Sequence, residues 1–169
     1  MQRDKNIYLI GFMGAGKSSV SRAMAELSDL EEVDMDAVIV SQEGMSIPHI
    51  FEKKGEAYFR KAETEVLKEL AGKQGIIVSC GGGTILKEEN REIMKESGEV
   101  VFLSAAPETI FERVKNGRNR PLLNGHMNVE YIRGLMEERM PYYELAKTKE
   151  IITDGRSPQK IAKEIFAII

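Results

Sequence analysis

Short apolar runs alternate along the chain with segments in which apolar residues recur at helical spacing. The runs at 7–10, 75–79, 100–103 and 151–153 are rich in aliphatic and β-branched residues. Runs of this kind predict buried strands of a parallel sheet, because both faces of such a sheet are covered. A weaker strand is predicted around Val33, which precedes an Asp-Met-Asp segment.

The segments between the strands predict helices. Their expected ranges are 17–27, 47–70 with a break near Gly55, 107–114, 129–145 and a last helix that starts at Pro158 and is capped by Ser157. Pro107 suits a first turn, whereas Pro141 is expected to bend or break its helix. The alternation predicts an α/β fold of three layers, in which a central five-stranded parallel sheet is flanked by helices.

Composition places the chain among ordinary globular proteins. Its 169 residues are 42% hydrophobic and 30% charged, and its formal net charge is -3. This length fits a single domain over 1–169. The negative balance gives no reason to expect a nucleic-acid partner, and nothing in the sequence demands more than a monomer.

The number of cysteines and the length of the apolar runs indicate the cellular compartment. Cys80 is the one cysteine, so a disulfide framework and a Cys/His zinc site are both excluded. The run at 7–10 is too short for a signal-peptide core or a membrane span, and no other stretch approaches spanning length. The sequence therefore predicts a cytoplasmic protein without a membrane partner.

A phosphate-binding motif follows the first strand. Residues 11–18 read Gly-Phe-Met-Gly-Ala-Gly-Lys-Ser, which fits G-x-x-x-x-G-K-[ST] between a strand and a helix. Glycines let backbone N–H groups point at phosphate oxygens, and the helix N-terminus adds partial positive charge. Lys17 suits the β- and γ-phosphates, and the Ser18 hydroxyl suits Mg2+. ATP contacts are predicted at Gly14, Ala15, Gly16, Lys17, Ser18 and Ser19.

The acidic residues after the second strand separate this chain from nucleotide-driven switches and motors. No apolar strand ends in Asp-Glu, and no Asn-Lys-x-Asp segment is present. Asp34 and Asp36 stand two residues apart, so in an extended segment both would point the same way. One could serve the metal and the other the acceptor, since parallel strands bring ligand contacts to their carboxyl ends. An acidic turn after Glu31 and Glu32 is the plainer alternative.

Basic residues and glycines form the remaining motifs. Arg60 and Glu63 stand three apart on a predicted helix and can pair, although an ordinary surface ion pair has the same spacing. The glycines at 81–83 end the strongest strand, where they form either a close approach to a ligand or a flexible turn. Arg-Pro-Leu-Leu at 120–123 lies in an irregular segment that is predicted to form a mobile lid. Arg139 lies further downstream.

Together these motifs resemble the shikimate kinase family. The resemblance is carried by 11–18, Asp-Met-Asp at 34–36, Gly-Glu-Ala-Tyr-Phe-Arg at 55–60, the glycines at 81–83, Arg-Pro-Leu-Leu at 120–123, and Arg139 with Pro141 and Tyr142. These motifs follow the family's order over nearly the whole chain. The resemblance implies a P-loop kinase fold with a helical substrate-binding insertion at about 36–65 and a lid at about 116–128.

The resemblance also implies an activity and an acceptor site. ATP would phosphorylate the 3-hydroxyl of shikimate, in the pathway to chorismate and the aromatic amino acids, with Mg2+ as cofactor. Shikimate would be held by Asp36, Arg60, Arg139 and the backbone of Gly81, Gly82 and Gly83. Glu63 would orient Arg60, and Asp34 would reach Mg2+ through water.

The nucleotide site that the resemblance implies draws on three arginines. Arg120 would approach the phosphates from the lid, Arg113 would lie against adenine, and Arg156 would border the base. Catalysis would then rest on Lys17, Asp36 and Arg120. Val40 departs from the family, in which many members carry an acidic residue, but this change does not touch the predicted chemistry.

Other functions remain open on the sequence alone. A kinase for another small polyol acid, such as gluconate, would need the same P-loop and basic acceptor contacts. A nucleoside monophosphate kinase fits less well, because the acidic Asp36 suits hydroxyls better than a phosphate. A nucleotide-binding regulator without catalysis would be expected to lack Lys17, Asp36 or Arg120, and all three are present.

His49 and His126 are interpreted as surface and lid residues, and Cys80 as a core residue.

Overall fold

The computed structural model describes residues 4–115 and 128–169. Within these ranges five strands form one parallel sheet in the order β2-β3-β1-β4-β5. The strands are β1 (Asn6–Ile10), β2 (Glu31–Asp34), β3 (Ile76–Ser79), β4 (Gly98–Ser104) and β5 (Lys149–Ile152). The predicted number of strands and their parallel arrangement are confirmed.

Helices cover both faces of the sheet. They are α1 (Lys17–Glu26), α2 (Met35–Glu43), α3 (Ile47–Lys54), α4 (Glu56–Ala71), α5 (Glu88–Ser97), α6 (Pro107–Val114), α7 (Val129–Ala146) and α8 (Pro158–Ile168), with a 3-10 turn at Thr84–Leu86. Tyr8 and Ile10 pack with one apolar cluster, whereas Ile7 and Leu9 pack with another. Because successive strand residues face opposite sides, these two clusters are the two faces of the sheet.

The two apolar clusters draw on different helices. One contains buried residues of α2 to α5, and the other contains buried residues of α1, α6 and α8. Helix α7 contributes Ile132 to the second cluster and Tyr143 to the first. It therefore passes from one face of the sheet to the other, and Arg139 lies on the stretch between these two anchors.

The structure departs from the sequence-based expectations at two helical segments. Helix α7 runs through Pro141 without interruption, so of the expected bend or break the break is wrong. Pro141 is exposed, and so is Glu137, whose carbonyl loses its hydrogen-bond donor to the proline. Water can bind that carbonyl, while Tyr143 stacks on Phe102 at 4.6 Å and holds the following turn on the sheet.

The residue pattern did not predict helices α2 and α5, although α2 falls within the helical insertion at about 36–65 that the family resemblance implies. Helix α2 begins directly after β2, so Asp34 and Asp36 do not share an extended segment.

In the part of the chain that is described, no helix combines the length and apolar character needed to cross a bilayer. The predicted lid at 116–128 lies outside the described residues, except for Asn128, which caps α7.

Candidate active site

Three loops meet at the carboxyl edge of the sheet. In the sheet register, Asp34 at the end of β2 and Leu9 near the end of β1 both lie opposite Ser79 at the end of β3. The segments after β1, β2 and β3 therefore leave the sheet at the same level. The phosphate-binding motif, the acidic pair and the three glycines are brought together by this strand order.

The phosphate-binding loop needs its glycines for two separate reasons. Gly14 and Gly16 have φ of 81° and 97°, a left-handed conformation that other residues rarely adopt. At Gly11 an added Cβ would lie 2.7 Å from the carbonyl oxygen of Leu103 on β4, so the backbones touch. The loop is thus a tight turn wedged against the sheet at the start of α1.

Lys17 folds back over the loop that precedes it. Its Nζ donates to the carbonyl oxygens of Gly11 at 2.6 Å and Phe12 at 3.2 Å. The ammonium therefore sits at the rim of the phosphate-binding loop, on the side of the β1 carboxyl end. A point charge there is suited to phosphate oxygens bound by the same loop.

Ser18 and Asp34 bring two hard oxygen ligands together. The Ser18 Oγ lies 3.5 Å from Asp34 Oδ2, while Asp34 Oδ1 accepts the Ala37 N–H at 3.1 Å and caps α2. Within the described ranges, His, Cys, Asp and Glu side chains do not gather in groups of three or more that could hold a metal. A Mg2+ ion here would need its other ligands from phosphates and water, which is how Mg2+ is commonly held in kinase sites.

Asp36 occupies the first turn of α2 rather than an extended segment, which corrects the geometry expected from sequence. It nevertheless reaches the same site as Asp34, because the start of the helix lies at the sheet edge. Burial raises the pKa of Asp36 to about 6, and the charges of Asp34 and Glu63 add to the rise. Lys17 and Arg60 oppose it. The carboxylate thus stands within electrostatic reach of two acidic and two basic side chains of the site.

Each of the three glycines after β3 faces a different predicted acceptor residue. An added Cβ on Gly81 would lie 3.0 Å from both Asp36 Oδ1 and Glu63 Oε2. On Gly82 it would lie 3.6 Å from Arg139 Nη1, and on Gly83 it would overlap the Arg60 guanidinium. The triple glycine is therefore a platform on which charged side chains from α2, α4 and α7 rest.

Arg60 is held from α4 by a buried partner. Its Nη1 donates to Glu63 Oε1 at 3.2 Å, and the Glu63 side chain is only 1% exposed, so the pair is not an ordinary surface ion pair. Burial raises the pKa of Glu63, and Arg60 opposes the rise. The Nε–H of Arg60 is buried without a hydrogen-bond acceptor among the described residues. This arginine retains donor capacity beside the glycines.

Arg139 approaches the glycines from the opposite side. Its Nη1 donates to the Gly82 carbonyl oxygen at 2.5 Å. Burial raises the pKa of Tyr143, one turn further along α7, to about 12, and the nearby Arg139 opposes the rise. Arg60 and Arg139 thus place two guanidinium groups on the same short loop, although they are far apart in sequence.

The two arginines predicted to border adenine lie near the β5–α8 connection. Arg113 Nη1 donates to the Gly14 carbonyl oxygen at 3.1 Å and to Thr153 Oγ1 at 3.3 Å, which ties α6 to the phosphate-binding loop. Arg156 donates to the Ile152 carbonyl oxygen at 3.1 Å and pairs with Glu164. Arg120 lies outside the described residues.

Sequence reasoning missed two buried polar residues behind the platform. Thr84 donates to Glu63 Oε2 at 3.0 Å, and Asn90 donates to the Thr84 carbonyl oxygen at 3.0 Å. Thr84 directly follows the triple glycine, and this position is the sequence signal that could have identified it. Asn90 lies inside α5, which was not predicted, and nothing in its local sequence marks it.

The interpretation of the other polar candidates agrees with the structure. His49 is exposed on α3 and Cys80 is buried at 2% exposure. Burial raises the pKa of the Cys80 thiol. His126 lies outside the described residues.

Comparison with known proteins identifies the family. The shikimate kinase family model matches residues 13–169. The chain belongs to the shikimate kinase family. A curated shikimate kinase of Sulfurihydrogenibium sp. (strain YO3AOP1) is 42% identical over 165 residues, which cover 98% of either chain. A solved shikimate kinase from Acinetobacter baumannii, in complex with shikimate, has a TM-score of 0.91 at 39% identity and covers 97% of this chain and 92% of that one.

Membership of the shikimate kinase family confirms the resemblance seen in sequence. It makes the chain an ATP-dependent phosphotransferase with an alcohol group as acceptor. A gluconokinase from Sinorhizobium meliloti 1021 has a TM-score of 0.64 at 21% identity, with 99% of this chain and 92% of that one covered. At that identity the gluconokinase shares the fold alone, so the gluconate alternative gains nothing from it.

Proposed function

We propose that this shikimate kinase family member transfers the γ-phosphate of ATP to the 3-hydroxyl of shikimate, giving shikimate 3-phosphate and ADP. The observation that carries the proposal is the meeting of Asp36, Arg60 and Arg139 on the glycines at 81–83, beside the phosphate-binding loop. Shikimate has one carboxylate and three hydroxyls. The two arginines can bind the carboxylate of shikimate, and the Asp36 carboxylate can accept hydrogen bonds from its hydroxyls.

The acceptor carboxylate is assigned to the two arginines. A guanidinium presents parallel N–H groups that match a carboxylate, which an ammonium does not. The Arg60 Nε–H, buried without an acceptor in the described part of the chain, supports this assignment. Arg139 contributes the facing donors, with one of its nitrogens anchored on the Gly82 carbonyl.

Asp36 is assigned to the ring hydroxyls. A pKa of about 6 leaves it largely ionised at neutral pH, as an acceptor of hydroxyl hydrogen bonds. An alcohol is far too weak an acid to be deprotonated by this group before attack. Transfer through a loose transition state needs positioning more than base strength. Asp36 therefore orients the hydroxyl and accepts its proton late in the reaction.

The nucleotide side uses the loop after β1 with ATP as co-substrate. Lys17 and the backbone of Gly14 to Ser19 bind phosphates, Arg113 and Arg156 border the base, and Arg120 acts from the lid. Ser18 is assigned as a direct ligand of Mg2+, and Asp34 as a ligand through water, because their oxygens face each other at 3.5 Å. Bound Mg2+ would neutralise charge on the transferring phosphoryl group. Lid closure would exclude water and suppress hydrolysis of ATP.

We further propose that the protein acts as a cytoplasmic monomer. The monomer is supported by the sheet, because one sheet of a single chain carries all three loops that meet at the acceptor site.

The test is ADP release with Mg-ATP and a panel of acceptors. Shikimate, gluconate and nucleoside monophosphates are each supplied to the wild type and to Lys17→Ala as a blank. We expect fast turnover with shikimate alone, and a shikimate 3-phosphate product by NMR. Turnover with another acceptor and none with shikimate would retain a P-loop kinase but reject this substrate. Failure with every acceptor would reject the kinase activity.

A further inference from the structure

A closed circuit of hydrogen bonds lies directly behind the acceptor site. Its members, named here the buried ring, are Arg60, Glu63, Thr64, Thr84 and Asn90. Thr64 Oγ1 lies 2.8 Å from Asn90 Oδ1 and 3.1 Å from the Arg60 carbonyl oxygen, so its proton is shared between them. The circuit continues from Asn90 to Thr84, from Thr84 to Glu63 and from Arg60 to Glu63.

The buried ring is sealed from solvent on the side away from the glycines. Glu63 is 1% exposed, Thr64 is 3% exposed, and Thr84 and Asn90 are not exposed at all. Every hydrogen bond in it joins a donor to an acceptor with no water needed. Hydrogen bonds in a buried network fix the orientation of the groups that make them. In this ring the Arg60 Nε–H has no acceptor among the described residues, whereas the Glu63 carboxylate has a donor at each oxygen.

The hydrogen bond from the Thr84 hydroxyl fixes the orientation of the Glu63 carboxylate. One carboxylate oxygen, Oε1, faces Arg60, and the other, Oε2, accepts the Thr84 hydroxyl. Without the hydroxyl, Oε2 would be a buried acceptor with one fewer donor. The carboxylate would then rotate or take up a proton, and either change loosens its hold on Arg60.

Two side chains of α5 hold Thr84 and the turn that it begins. Asn90 on α5 fixes its carbonyl oxygen, and Arg91 fixes the next two carbonyls of the 3-10 turn, those of Ile85 and Leu86, at 2.8 and 3.2 Å. The turn that follows the glycines is therefore rigidly attached to α5.

We propose that Thr84 is a positioning residue for the acceptor, which acts through Glu63 to hold the Arg60 guanidinium ready for the shikimate carboxylate. This inference rests on the proposed function of the same site. Among the described residues the hydrogen bonds of Thr84 join Gly81, Glu63 and Asn90, and none of them reaches the nucleotide loop. Its effect is therefore expected on acceptor binding and not on ATP binding.

The experiment compares Thr84→Val with Thr84→Ser. Valine keeps the size of threonine without the hydroxyl, and serine keeps the hydroxyl. We expect Thr84→Val to raise the KM for shikimate about tenfold, with the KM for ATP changed less than about twofold. Thr84→Ser should stay within about threefold of the wild type in both constants, because its hydroxyl still reaches Glu63.

Thr148→Val is the matched control. The Thr148 hydroxyl donates to Glu99 Oε2 at 2.7 Å and accepts the Val100 N–H at 2.9 Å, so this change removes a threonine–glutamate hydrogen bond together with an acceptor for the β4 backbone. It does so near the amino ends of β4 and β5, at the opposite edge of the sheet. The KM for shikimate should remain that of the wild type.

Three outcomes would overturn the inference: an unchanged KM for shikimate in Thr84→Val, an equal rise in both KM values, or a serine variant as impaired as the valine variant. If Thr84→Val does not fold, Thr84→Ala replaces it, because alanine and serine differ only by the hydroxyl. A wild type that turns over shikimate while Thr84→Val shows no KM change rejects the positioning role alone. A wild type without shikimate turnover rejects both the proposed function and the positioning role built on it.

Discussion

Asp36 lies directly against Gly81. Its Oδ1 is 3.0 Å from the point at which a Cβ on Gly81 would stand, and Glu63 Oε2 is equally close to that point. The φ of Gly81 is not in the left-handed region, so backbone strain does not require glycine there. Glycine is required at position 81 because a Cβ there would crowd two carboxylates.

Gly81→Ala is therefore expected to impair acceptor use. The new methyl group would push on Asp36 and Glu63 together, and neither can move without disturbing Arg60. We expect kcat/KM for shikimate to fall at least about tenfold, measured by steady-state kinetics at saturating ATP. Gly134→Ala is the control, because among the described residues no atom beyond the neighbouring backbone of α7 lies within 4 Å of its new Cβ. Normal kinetics in Gly81→Ala would contradict the contact.

The pH dependence of kcat/KM for shikimate should follow the ionisation of Asp36. Its pKa of about 6 is above that of an ordinary aspartate, and the ionised form is the one that orients the hydroxyl. We expect kcat/KM for shikimate to be level above pH about 7 and to fall about tenfold per pH unit well below 6. A profile measured between pH 5 and 8 checks this. A level profile down to pH 5 would show that Asp36 protonation does not limit the reaction.

The raised pKa of Asp36 also predicts a stability penalty at neutral pH. Between the ordinary value of 3.8 and about 6 the folded protein binds more protons than the unfolded chain, so stability falls as pH rises through this window. Asp36→Asn removes the penalty. Its free energy of unfolding at pH 7.5 should exceed that of the wild type by about 1–3 kcal/mol, although activity is lost.

Urea unfolding at pH 7.5 and pH 4.5 measures this difference. The advantage of Asp36→Asn should shrink at the lower pH, where the wild-type carboxyl is protonated in the folded state. Asp29→Asn, a change at an exposed aspartate, serves as the control. A less stable Asp36→Asn at pH 7.5 would mean that the neighbouring cations outweigh burial and the like charges.

Asp34→Asn should separate metal binding from helix capping. Asparagine caps a helix as well as aspartate does, so the hydrogen bond from Ala37 N–H survives. The negative charge 3.5 Å from Ser18 Oγ is lost. We expect the Mg2+ concentration for half-maximal activity to rise about tenfold in a titration at fixed ATP, with the melting temperature changed by less than about 2 °C. An unchanged Mg2+ requirement would reject the metal role of Asp34.

Sequence reasoning located Asp34 and Asp36 at the site but gave the wrong geometry for them. It placed them in an extended segment, whereas Asp34 is a helix cap and Asp36 is in the first turn. The signals for a helix were present, since Asp is a preferred N-cap residue and Gly44 follows as a left-handed C-cap with φ of 69°. The weak amphipathic pattern of this segment, in which only Met35 and Ile39 are buried, concealed them.

The interior of α7 shows where local propensity fails. Pro141 predicts a break because it lacks an N–H and crowds the preceding turn. In the folded chain Ile132 and Tyr143 bind the two halves of the helix to opposite faces of the sheet. Packing of this kind depends on the three-dimensional arrangement and cannot be derived from the residues around Pro141.

The buried ring was beyond sequence reasoning for a related reason. Thr64 and Asn90 are 26 positions apart and meet only because α4 and α5 pack together. Motifs with a fixed local spacing, such as the phosphate-binding loop, could be recognised at once. Support that is assembled from separate helices has no such spacing.

The strand order has a consequence for the chain as it leaves the ribosome. β1 carries the phosphate-binding loop, yet its neighbours β3 and β4 begin only at Ile76 and Gly98. The next strand to be made, β2, pairs with β3 and not with β1. Pairings between distant segments form slowly, because a long loop must close first. A nascent chain that ends before Gly98 thus exposes an edge of its central apolar strand, so aggregation during translation is most dangerous in that interval.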